Sequence, residues 1–207
     1  MNDNLVSTKS QFITRYLLPS LGSLPASMGL ALTQQLISNT QLRQAVARQY
    51  LDEPGPADEG VAIVLPQSIA HSVQTINDLG GIRLVGTHVW HRRTLIFDPF
   101  ALLDGTDRKG TVQTLEPGPY LSIRYPALRQ LMDVYPLAER AISVLARRQE
   151  QQRQQHDHLL YLTPEARVAA FEAQYASFSR VATIEQRCLH TGLTRQTYSK
   201  KLKVVKS

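Results

Sequence analysis

Apolar positions change their period twice along this chain. Phe12, Tyr16 and Leu17, then Leu32, Leu36 and Ile37, recur at helical spacing, so the first fifty residues read as helical. Pro19, Gly22 and Pro25 punctuate between them. EPGPADEG, residues 53–60, mixes turn formers with acids and interrupts any helix. Short β-branched runs follow: 61–65 (VAIVL), 82–85 (IRLV), 88–90 (HVW), 94–97 (TLIF), 111–115 (TVQTL) and 120–123 (YLSI). Gly80-Gly81, Gly86, Asp104-Gly105 and Glu116-Pro117-Gly118-Pro119 separate them. Short strands at such spacing predict one all-β unit, a small barrel, sandwich or jelly roll, from about residue 50 to 124.

After Pro126 the helical period returns with Leu128, Leu131, Met132 and Tyr135. Pro136 opens the next helix, where proline fits the first turn. That helix carries Leu137, Ala141, Val144 and Leu145, and runs on through ARRQEQQRQQHDH to Leu159 and Leu160. About 24 residues make a rod of roughly 36 Å. Its apolar first half has no obvious cover in the chain, which predicts pairing with a second copy; its polar second half should stay out of the core. Thr163-Pro164-Glu165 is a helix start, with a hydroxyl cap, proline at the first position and an acid at the positive end of the dipole. Val168, Phe171 and Tyr175 then mark a core face.

Charge adds what periodicity does not show. The 207 residues carry 23 Lys+Arg and 17 Asp+Glu, a net charge of +6. Seven basic residues and one acid lie between Arg180 and Ser207, so this tail holds the whole excess. A neutral body with a basic end suits a polyanion such as nucleic acid. A hydrophobic fraction of 43% supports a packed core. No apolar run suffices to span a bilayer and the first residues do not resemble a signal peptide, so a cytoplasmic protein without membrane association is expected. The single cysteine, Cys188, excludes an internal disulfide and reads as a packed residue.

The tail also has a pattern. Thr183 with Gln186 fits a capping box, Gly192 sits where an inter-helix turn needs positive φ, and Thr194 caps a second, basic helix. Helix, glycine turn and basic helix form a helix-turn-helix. Thr183, Thr194, Arg195, Gln196, Ser199, Lys200, Lys201 and Lys203 are the candidate DNA-binding residues. Arg195 and Gln196, in the first turn of the second helix, would reach base edges, and the lysines would lie near phosphates.

The collinear order of parts resembles the Crp/Fnr superfamily of bacterial transcription regulators, over about residues 45 to 207. Three stretches carry the resemblance: WHRRTLIFDPFALLDGTDRKGTVQTLEPGPYLSIRYPALRQLMDVYP; HDHLLYLTPEARVAAF, with Leu162, Thr163, Glu165, Arg167 and Phe171; and GLTRQTYSKKL. The resemblance implies an α+β fold: N-terminal helices with a cyclic-nucleotide-binding-like β-roll over 1–135, a dimerisation helix over 136–160, and a helix-turn-helix domain over 161–207. It implies a homodimer on double-stranded DNA with a small-molecule effector. Where the family's cyclic-AMP binders have Gly-Glu and then Arg-Ser, this chain has Asp98-Pro99 and Arg108-Lys109. Asp98, Arg108 and Lys109 are therefore the candidate ligand residues, and tight cyclic-AMP binding is not expected. Arg187 and Thr191 stand where the family's helix-turn-helix is usually apolar.

His88-x-x-His91 and His156-x-His158 lack carboxylates or cysteines at ligand spacing, so no metal or other cofactor is expected. No nucleophile, phosphate-loop or dinucleotide motif argues for an enzyme. Two readings remain: a DNA-binding transcription regulator with a ligand-sensing β-roll, or a β-roll dimer acting as a ligand sensor or protein-interaction module with a vestigial helix-turn-helix.

Overall fold

A computed structural model describes residues 8–20, 26–78 and 81–206. Helix α1 (residues 8–20) contains a π-helical turn at Ile13–Leu17 and is followed by α2 (Ala26–Asn39). Ile13, Leu17, Leu32 and Leu36 are fully buried. The helical reading of the first fifty residues stops short, however, because β1 (Thr40–Ala45) and β2 (Tyr50–Asp52) lie within or across its end. β1 buries Thr40 and Ala45 and half-buries Leu42 among polar residues, so one hydroxyl and one small side chain leave its apolar period weak.

The β unit contains two four-stranded antiparallel sheets, ordered β1-β8-β3-β6 and β2-β7-β4-β5. The remaining strands are β3 (Val61–Val64), β4 (Ala70–Asp78), β5 (Gly81–Trp90), β6 (Leu95–Ile96), β7 (Gly110–Thr114) and β8 (Gly118–Arg124). Ile63, Leu65, Trp90, Ile96 and Tyr120 fill the roll. The unit is not wholly β: α3 (Pro99–Asp104) interrupts it, capped at its start by Asp98 and closed by left-handed Gly105.

α4 (Tyr125–Val134) leads through Pro136 into α5 (Pro136–Leu159), 24 residues long as its pattern indicates. Ala138, Ile142, Ala146, Gln149, His156 and Leu159 are buried along one stripe. One face of its polar second half is therefore covered within the chain, contrary to expectation, and polar groups make the contact. Gln149 Nε2 donates to the Leu95 carbonyl at 3.0 Å, and His156 stands edge-on to His190. The first half is also partly covered, since Ala141 and Leu145 pack on the roll's core while Val144 stays exposed.

The C-terminal unit comprises α6 (Pro164–Gln174), α7 (Ala176–Val181), α8 (Ile184–Thr191) and α9 (Arg195–Lys206). Val168, Phe171, Phe178 and Tyr198 form its core together with Ile69, Val89 and Leu115 of the roll, so the two units share a hydrophobic cluster. The architecture is α+β with a C-terminal helical domain. Among the described residues no helix is long and apolar enough to cross a membrane.

Candidate nucleic-acid interface and effector cavity

The helix-turn-helix is built by local chemistry. Thr183 Oγ1 accepts from the Gln186 amide at 3.2 Å while the Gln186 side chain accepts from the Thr183 amide at 2.9 Å, a complete capping box. Gly192 ends α8 at φ 62°, and Thr194 Oγ1 accepts from the Thr197 amide to start α9. Tyr198 and Leu202 turn inward onto α6. On the opposite side Gln196, Lys200 and Lys203 form one exposed stripe at helical spacing, with exposed Arg195 and half-buried Ser199 beside it. Two candidates have intramolecular partners: Lys201 bonds Glu165 at 3.0 Å, and Arg195 bonds Glu185 at 3.0 Å. Thr183 is half-buried as a cap.

Arg187 and Thr191 explain their own departure from an apolar pattern. Glu172 Oε1 accepts from Arg187, Ser179 and Tyr198, and Arg187 also donates to the Ser179 and Ala182 carbonyls. Thr191 donates its hydroxyl to the Arg187 carbonyl. A hydrogen-bonded polar network replaces apolar packing here, with only Arg187 Nε of its groups buried and unpartnered among the described residues. Burial beside the Glu172 carboxylate pushes the Tyr198 hydroxyl well above the usual phenol range. Arg167 donates to the carbonyls of Leu160, Leu162 and Thr191, so it pins the end of α5 to the turn before α9. Cys188 is half-buried in the same cluster, with its thiol pushed up by burial.

α8 docks on the sheet through histidines. His190 Nε2 lies 3.1 Å from His71 Nδ1, and His71 Nε2 lies 3.0 Å from Gln113 Oε1. Gln113 donates its own amide to the Arg48 carbonyl, which leaves its oxygen facing His71. The chain of donors therefore runs from His190 to His71 to Gln113 with both rings neutral. Gln186 adds a bond to Gln113 at 3.3 Å. Burial holds His71, His156 and, most strongly, His190 below the usual imidazole range, and lowers His88 to about 4. Four of the six histidines thus gather along this seam, a grouping that their spacing in sequence does not reveal. Among the described residues no group of three or more potential ligands is placed to hold a metal ion.

A cavity of about 490 Å³ opens between the roll, α3 and α5. Trp90 and His88 stack in its wall at 4.6 Å and 3° between planes, with Ile96, Phe97 and Val112 nearby. All three candidate ligand residues line it. Arg108 is buried and paired with Asp52, and it also donates to the Pro56 carbonyl at 3.2 Å. Burial pushes the Asp52 carboxyl up to about 6, against the pull of Arg108. Asp98 accepts from the Phe100 and Ala101 amides at 3.0 and 3.2 Å. Lys109 is exposed at the rim. Asp52 and Gln149 carry no signal in the sequence because their partners are distant along the chain.

No protein-family model matches the chain, and no curated protein does. Solved structures do. FixK2 from Bradyrhizobium japonicum superposes with a TM-score of 0.66 at 15% identity, over 81% of this chain and 84% of that one. The c-di-GMP responsive global regulator CLP from Xanthomonas campestris gives 0.65 at 13%, over 86% and 91%. A transcriptional regulator of the CRP family from Thermus thermophilus gives 0.62 at 16%, over 79% and 84%. Two rolled antiparallel sheets, a long helix beside the cavity and a docked helix-turn-helix, in this order and at this similarity, give the chain the fold of the Crp/Fnr transcription regulators.

Proposed function

We propose that this chain is a DNA-binding transcription regulator whose β-roll senses a small molecule, with a division into a sensory unit over 1–135, a dimerisation helix over 136–160 and a DNA-binding unit over 161–207. The exposed stripe of Gln196, Lys200 and Lys203 with Arg195, on the second helix of a helix-turn-helix, carries the reading. It puts two base-reading side chains in the first turn and cations further along, as a major groove requires. The protein works as a two-fold dimer in the cytoplasm, without catalysis, and its roll does not take cyclic AMP tightly, since the Asp52 carboxylate already occupies Arg108.

Gel shifts on genomic fragments at several salt concentrations test this. Arg195→Ala should cost about 1–3 kcal/mol on the preferred site and much less on random DNA. Lys203→Ala should weaken both equally and reduce the salt slope by about one. A second reading, a ligand sensor or interaction module with a vestigial helix-turn-helix, draws on the pairing of Arg195 with Glu185 and Lys201 with Glu165. It takes over if the unmodified protein binds no DNA at low salt.

A further inference from the structure

Between Arg180 and Ser207 the chain has one acid, Glu185, among seven basic residues. It is the second residue of α8. The capping box beside it does not need it, since Thr183 and Gln186 close that box between themselves. Its exposed carboxylate lies 3.0 Å from Nη1 of Arg195, the first residue of α9. Its own backbone amide, the Thr183 hydroxyl and the charges of Arg195 and Arg48 hold it below the usual carboxylate range, so it is ionised at neutral pH.

This charge is at odds with its place. In a helix-turn-helix the second helix sets its first turn in the major groove while the first helix crosses the backbone. An acid at the start of the first helix faces phosphates and repels them. Nor does folding account for it, because an exposed ion pair adds little to stability. What the pair does is orient a guanidinium. Arginine presents five donors in a flat fork. Glu185 takes Nη1, while Nε and Nη2 form no bond among the described residues. That free edge carries two parallel donors, the arrangement that meets O6 and N7 of guanine. Held this way, Arg195 has less side-chain freedom to lose on meeting a base. Its charge, already balanced by a carboxylate, gains less from a lone phosphate.

Resting on the proposed reading of α9 as the base-reading helix, we infer that Glu185 is a positioning residue that sets specificity: it holds Arg195 edge-on for a guanine in the major groove and withholds its charge from the phosphates of random DNA. The pairing of Arg195 with Glu185 is then part of the recognition surface, and the partner it fits is a duplex half-site containing guanine.

Fluorescence anisotropy on the full chain tests this with two duplexes of equal length, the genomic fragment bound most tightly in gel shifts and a random sequence. Glu185→Gln keeps the shape of the side chain and leaves the capping box intact. It should bind the random duplex about two- to fivefold more tightly, the range that an exposed ion pair covers. The salt slope there should steepen by about one, as Arg195 becomes free for a phosphate. The preferred fragment should not gain, because lost positioning offsets lost repulsion, so the ratio of preferred to random binding falls by at least about twofold. In an Arg195→Ala background the same change should leave that ratio where it stands, since the effect passes through Arg195. Equal gains on both duplexes would mark a general charge effect, and weaker binding to both with a lower urea midpoint would mark a structural role. Either result, an unchanged ratio, or a fall in the ratio that persists without Arg195 overturns the inference. The two failures are distinct: if the unmodified protein binds neither duplex at low salt, the regulator reading falls and this inference with it, whereas if it binds and the ratio holds in Glu185→Gln, only this inference falls.

Discussion

Gly86 shows how a single residue can set the relation between two units. A β-carbon built there would meet the His190 ring at about 2.4–2.6 Å, well inside van der Waals contact. Nothing but hydrogen fits while α8 stays docked on β5. Gly86→Ala should therefore destabilise the protein by about 1–3 kcal/mol, the usual cost of overpacking, read from urea unfolding. An unchanged midpoint would show that the seam has room to relax. Arg187 makes a second case, since its side chain and that of Glu172 are only 13% and 14% exposed. Arg187→Leu strands the carboxylate and should cost about 3–5 kcal/mol, whereas Arg187→Leu with Glu172→Gln should recover a good part of it. A double variant no more stable than the single one would count against the network as an energetic unit. Arg187 also shows what sequence cannot display: the family resemblance implies an apolar residue at this position, but the partners of Arg187 lie at Glu172, Ser179 and Ala182 and meet it only in the folded chain.

The elements that are legible are those whose signals are local. Thr163 and Thr183 as caps, Pro136 and Pro164 at helix starts, and left-handed Gly192 each act within a few residues of themselves, and each stands where its chemistry requires. β4 is not legible. Its residues Ser72 and Gln74 line the cavity and His71 faces α8, so polar groups occupy both buried faces and no two-residue apolar period survives. The covered face of the second half of α5 is hidden for the same reason, because Gln149 and His156 make its contacts. This polar seam gives the α8–sheet junction a pH dependence. His190 donates to His71, and its Nδ1 has no partner among the described residues, so protonating either ring places a second proton where nothing accepts it. The folded state holds these histidines neutral below their ordinary pKa near 6.5. Stability is thus fully present above about pH 6.5 and is lost as pH falls below it, by about 1.4 kcal/mol per pH unit for each proton the unfolded chain alone takes up. For His88 the loss runs down to about pH 4. Asp52, raised to about 6 in the fold, works in the opposite sense and offsets part of it as pH falls from about 6 towards the ordinary carboxylate range. Urea midpoints should fall between pH 7 and 5, with a smaller slope in His156→Gln. A midpoint that rises on acidification would mean that the histidines are not held neutral.

At the scale of the whole molecule, the sequence makes the order of parts visible and leaves the contacts between them dark. The cavity joins the roll to α5, Arg167 joins α5 to the turn before α9, and α8 returns to the sheet, so one chain of contacts connects the cavity with the second helix of the helix-turn-helix. A second copy would extend this through α5. Residues 137, 141, 144, 148, 151 and 155 repeat at alternating steps of four and three, beside the stripe that is buried within the chain. Leu137 and Ala141 are half-buried and Val144 is exposed, while Arg148, Gln151 and Gln155 are exposed and polar. Only the first half of this seam is apolar, so a dimer should close there and its polar half should splay or bond through water. Val144→Glu would set two carboxylates against each other at the apolar end without touching the core, since Val144 is 38% exposed in the single chain. Sedimentation should then show a dimer for the unmodified protein and a monomer for the variant, with the melting temperature of the isolated fold little changed. DNA affinity should fall with it, because a monomer engages one half-site and loses the effective concentration that links the two. A Val144→Glu protein that remains dimeric would remove α5 from the interface, and one that turns monomeric but binds its operator as before would show that the two half-sites are read independently.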